Sequence, residues 1–187
     1  MSAERTKLDV SKASEEQKKE ILRYAAEARR FEIERFWHRS LFFWGFISVA
    51  FVAYAQLSNN RSSVDLPFVI ACFGIVCSVA WTLQNRGSKY WQEAWEQKVE
   101  SVEDAVLGAS LFHNHEPLQP KGFWGAGKFS VTKLAIALSD FTVLVWITLA
   151  VKSFPICCPS FEHVECIVAA AVTALFVGLL FFCRQSG

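Results

Sequence analysis

Net charge is almost absent from this chain: 19 Lys and Arg are set against 18 Asp and Glu, leaving +1 over 187 residues. The basic residues of the first 40 positions are matched by Glu15, Glu16, Glu20, Glu27, Glu32 and Glu34, which argues against a nucleic-acid surface. Also lacking is any Ser/His/Asp set, Cys/His set or pair of carboxylates in a catalytic arrangement, so no enzyme chemistry is legible. The six cysteines follow no disulfide-scaffold spacing. No cleavable signal peptide opens the chain, because its first 40 residues are highly charged and no small-residue cleavage site follows the first apolar stretch.

Four apolar stretches, Leu41–Leu57, Leu66–Leu83, Leu134–Val151 and Val164–Cys183, dominate what is present. A helix rises ~1.5 Å per residue, so each stretch is long enough for a hydrocarbon core of ~30 Å once flanking residues contribute. None shows the polar face of a soluble core helix. The expected fold is an all-α membrane protein of four transmembrane helices in two hairpins, with an N-terminal amphipathic helix and a central cytosolic helix. The expected segments are 1–40, the cytosolic helix continuing into the first span; 41–83, the first hairpin; 84–133, a cytosolic helix and connector; and 134–187, the second hairpin.

Lys and Arg fix the expected orientation. Ten lie in residues 1–40 and six in 84–133, whereas the loops at 58–65 and 152–163 hold only Arg61 and Lys152. The positive-inside rule places both termini and the central segment in the cytoplasm. The lipid bilayer is thus one expected partner, and the cell inner membrane the expected location. In a periplasmic outer loop Cys157 or Cys158 is able to pair with Cys166, although unpaired thiols fit the sequence somewhat better.

Two helical segments are expected outside the spans. Ser14-Glu15-Glu16-Gln17 has the form of a capping box, and neither Pro nor Gly interrupts the chain from there to Arg39. The second helix is expected to begin at an N-cap on Ser88 and to stop before Gly108. Along it Trp91, Trp95, Val99, Val102 and Val106 recur at intervals of four, four, three and four, which puts them on one face. Such a stripe must be buried, either on the N-terminal helix of the same subunit or in a subunit interface.

Asp140 is the most costly residue of the spans. A charged side chain near a bilayer centre costs ~2.5–3.5 kcal/mol, and less at this shallower depth. It is read here as the only intramembrane charge, bonded to a neighbouring helix or to Ser139 or Thr142, or else as part of an ion path. Small residues at close-packing intervals mark helix contacts: Gly74 and Ser78, Ala135 and Ser139, and Ala170, Ala174 and Gly178.

Other motifs carry less. Gly122 to Lys128 has the glycine and lysine spacing of a phosphate loop, but Phe129 stands where Ser or Thr would bind Mg²⁺. His113, His115 and Glu116, and separately Cys157, Cys158, His163 and Cys166, match no standard zinc spacing. Neither a metal nor another cofactor is expected, and no small-molecule ligand is identified.

The run from Ser88 to Gly108, with Trp91-x-x-x-Trp95-Glu96 at its start, and the segment Phe129-Ser130-Val131-Thr132-Lys133-Leu134 resemble the RipA-type small octameric inner-membrane proteins of bacteria. The resemblance implies homo-oligomeric self-assembly and a part in bacterial adaptation, and supplies no reaction. The expected function is a non-enzymatic homo-oligomer, possessing no catalytic residues. The alternatives are a channel or transporter using Asp140 in an oligomeric pore, and a membrane effector of a stress or phage-defence system.

Overall fold

A computed structural model describes residues 14–58, 66–107, 130–154 and 164–182. These form four helices: α1 (Glu15–Ser58), α2 (Leu66–Leu107), α3 (Val131–Ser153) and α4 (Val164–Phe182). All four are long and apolar enough to cross a membrane.

The start of α1 follows from its capping box. Ser14 N donates to Gln17 Oε1 at 3.0 Å, and Gln17 N donates to Ser14 Oγ at 3.3 Å. Each side chain thereby satisfies a backbone donor that the first helical turn leaves open. Lys18 Nζ donates to Glu15 at 2.9 Å and holds that carboxyl below its ordinary range. The helix then runs 44 residues without a break.

α2 corrects one expectation. It does not restart at an N-cap on Ser88 but runs unbroken from Leu66 to Leu107, 42 residues. Gln84, Asn85 and Arg86 are all compatible with helix, and Gly87 stays in ordinary helical backbone. One helical Gly costs roughly 1 kcal/mol, too little to break a helix held on both sides. The expected stop at Gly108 lies outside the described residues.

The chain divides into two compact units, residues 1–35 with 88–128 and residues 36–87 with 129–187. In the first, Ala25, Val99 and Val102 are buried between α1 and α2. Arg29 bridges to Glu96 at 2.9 Å, and the Tyr24 ring meets Trp95 edge-on at 6.4 Å. Arg23–Glu27 and Arg30–Glu34 pairs, one turn apart, run along the exposed side of α1.

The second unit is built on Trp146 of α3. Its indole is fully buried, stacks on Phe51 at 4.2 Å and meets Tyr54 edge-on at 6.2 Å. The core around it comprises Ala50, Tyr54, Phe68, Ala71, Cys72, Ala150 and Cys166. On α1 the buried positions Phe36, Ser40, Ile47, Ala50 and Tyr54, with half-buried Phe43, recur at three and four residues, a narrow seam. The hydroxyls of Thr142, Thr148 and Thr173 donate to the carbonyls four residues earlier, at 2.7–2.9 Å, which satisfies them without water.

Outside these seams the helices present apolar surface. Leu41, Phe42 and Val49 of α1, Leu138, Phe141 and Leu144 of α3, and Leu175, Phe176 and Leu179 of α4 are all exposed. An apolar surface of that extent is untenable in water and suits lipid or another subunit.

Candidate functional site: a polar clamp between α2 and α3

Polar side chains recur along the buried face of α2. Ser78, Thr82 and Asn85 follow one another at four and three residues, and all three are buried. The α3 positions opposite are Ala135 and Ser139. Asn85 Nδ2 donates to the Ala135 carbonyl at 3.3 Å and to Ser139 Oγ at 3.2 Å. Ser139 in turn donates to the Ile136 carbonyl at 2.9 Å. Asn85 Oδ1 is buried without a hydrogen-bond partner.

One residue further along each helix, the contact becomes ionic. Arg86 Nη2 donates to Asp140 Oδ2 at 2.8 Å. The two side chains are 56% and 43% exposed, so the pair sits at the edge of the helix contact. Two adjacent residues of α2 thus hold two adjacent residues of α3, one couple neutral and buried, the other charged and open.

The contact is a bond to a neighbouring helix, one of the readings open for Asp140, and its partner is Arg86 and not Ser139 or Thr142. Arg86 stands in a stretch that reads from sequence as a cytoplasmic turn, yet α2 carries it as helix to the level of Asp140. The signal that would have found it is the polar series Ser78, Thr82, Asn85, whose helical period passes straight through that turn. Each charged side chain thereby has an opposite charge beside it, where an unpaired charge in an apolar span is costly.

The remaining residues singled out in the sequence are distributed over both units. Gly74 lies against the Trp146 indole so closely that a Cβ there would clash with the ring carbons. Ser78 is fully buried. On α4, Ala174 is exposed, Ala170 and Gly178 are half-buried, and a Cβ on Gly178 would meet nothing. Along the central stripe Val99 and Val102 are buried, Trp95 and Val106 are half-buried, and Trp91 is exposed. Cys166 is fully buried. Cys157, Cys158, His163, His113, His115, Glu116 and the glycine-rich segment 122–128 lie outside the described residues. Among the described residues no group of three His, Cys, Asp or Glu side chains is placed to hold a metal.

A family model describing octameric membrane proteins (8xMP) matches residues 19–155, well over half the chain. The chain belongs to that family. The match covers nearly all of α1, the whole of α2 and α3, and therefore both couples of the clamp and the Trp91–Val106 stripe. α4 lies beyond it. Comparison with curated proteins and with solved structures gives no match. The protein is thus a multi-pass membrane protein of a family named for octamers, as the RipA-type resemblance implies.

Proposed function

We propose that this protein is a non-enzymatic homo-oligomer of the bacterial inner membrane, with both termini in the cytoplasm, acting as a scaffold or adaptation factor. The observation that carries the reading is the family match across the first three helices. The structure supplies its physical counterpart: long apolar faces on α1, α3 and α4 that the single chain leaves uncovered. The pairing of Asp140 with Arg86 supports an architectural role for that acid. Two differently tagged copies expressed together should co-purify from solubilised membranes, and copies mixed only after solubilisation should not. Failure of the co-expressed copies to co-purify would overturn the reading.

A second reading, conduction through the assembled oligomer, is favoured by the outward exposure of the Arg86–Asp140 pair. An ionic pair at the edge of a helix contact is positioned to border a wet lumen between subunits. Under this reading Asp140→Asn alters ion flux or its pH dependence in liposomes. Under the scaffold reading flux is absent from wild type and variant alike.

A further inference from the structure

The unit formed by residues 15–35 and 88–107 leaves aromatic surface open on one side. Tyr24, Phe31 and Trp91 are 65%, 51% and 47% exposed. They share that side. Tyr24 touches Trp95 across the two helices, Phe31 stands two turns on from Tyr24 along α1, and Trp91 stands one turn before Trp95 on α2. Cations frame the patch: the Arg35 guanidinium lies 4.8 Å from the Phe31 ring centroid, and Lys98 Nζ lies 4.3 Å from that of Trp95.

The opposite side of α2 has the opposite character. Glu93, Glu96 and Glu100 recur there at three and four residues, turned away from Trp91 and Lys98 by the helical period. Glu93 pairs with Lys89 and Glu96 with Arg29, but their side chains remain 56% and 52% exposed. One unit therefore carries an aromatic face edged by Arg35 and Lys98 and, opposite it, a glutamate-rich face whose acids are partly paired with Lys89 and Arg29. Its density of Lys, Arg and Glu keeps the unit out of the hydrocarbon core. A closed ring built head to tail requires two different, complementary faces on each copy. Interface cores are enriched in Tyr, Trp, Phe and Arg.

We infer that the Tyr24/Phe31/Trp91 face of one copy docks on the Glu93/Glu96/Glu100 face of a neighbouring copy in the oligomer. This rests on the homo-oligomer reading above and adds to it which surfaces meet. The aromatic rings supply the apolar area of the contact, and Arg35 at their edge meets the glutamates.

The test places the photo-reactive analogue p-benzoylphenylalanine at Phe31 of the full chain and irradiates intact membranes. The expected product is a covalent dimer whose cross-linked peptide contains Glu93–Glu100 of the second copy. A dimer joined from Phe31 to the aromatic face of the second copy overturns the inference, as does an unlinked chain whose native mass is still that of an oligomer. A monomeric native mass for the wild type in the same membranes overturns the homo-oligomer reading itself, and is read separately. In parallel, Phe31→Ala with Trp91→Ala should weaken association on the order of tenfold or more while circular dichroism keeps its helical signal. Unchanged association would overturn the inference.

Discussion

Arg86 and Asp140 form an ionic contact of 2.8 Å between α2 and α3, directly beside the neutral contact of 3.2 Å from Asn85 to Ser139. The buried couple fixes the register of the two helices, and the charged couple locks the edge. Because both side chains of the ionic couple are about half exposed, solvent or a neighbouring subunit screens part of their attraction.

The clamp predicts non-additive mutations. Asp140→Asn leaves Arg86 without its carboxylate, and Arg86→Gln leaves Asp140 as an unpaired acid within a span. Each single variant should lower the unfolding free energy in detergent by about 0.5–1 kcal/mol, after discounting for exposure. The double variant should cost less than the two single losses added together. Strictly additive losses measured by denaturant titration would show that the pair is not coupled.

Gly74 and Trp146 predict a steric limit. A methyl group at Gly74 clashes with the indole ring, so Gly74→Ala must displace a side chain stacked on Phe51 and packed against Tyr54. The expected loss is about 1–3 kcal/mol, as for other overpacked cores. Gly178→Ala, where a Cβ meets nothing within the chain, should leave the stability of the subunit unchanged. Thermal unfolding of the two variants side by side checks both halves. Equal melting temperatures would contradict the packing.

Lys and Arg asymmetry predicts the topology. Reporter fusions after Asn60 and Ser160 should report the periplasm, and fusions after His115 and Gly187 the cytoplasm. Any exchange among the four would overturn the proposed orientation.

How much of this was legible in the sequence depends on which physical signal carried it. The four spans are read from length and hydropathy, which the bilayer sets, and the structure gives four helices of that kind. The capping box at Ser14 is equally local, and its two reciprocal hydrogen bonds form. The unbroken course of α2 was not legible, because Gln84, Asn85, Arg86 and Gly87 have the composition of a turn. Tertiary packing on α3 holds them helical instead. Arg86 as the partner of Asp140 was lost with that misreading, since the two residues lie far apart in sequence and meet only through helix register. The aromatic stripe on α2 was visible as a period. That Val99 and Val102 are buried while Trp91 stays open depends on how α1 lies against it, which no single-helix pattern contains.

Native mass spectrometry of the full chain released from nanodiscs bears most directly on the central claim, that this protein works as an assembled homo-oligomer. The account predicts a dominant species of eight times the 21.1 kDa chain. A dominant species of one chain, stable across detergents and lipid compositions, would contradict it.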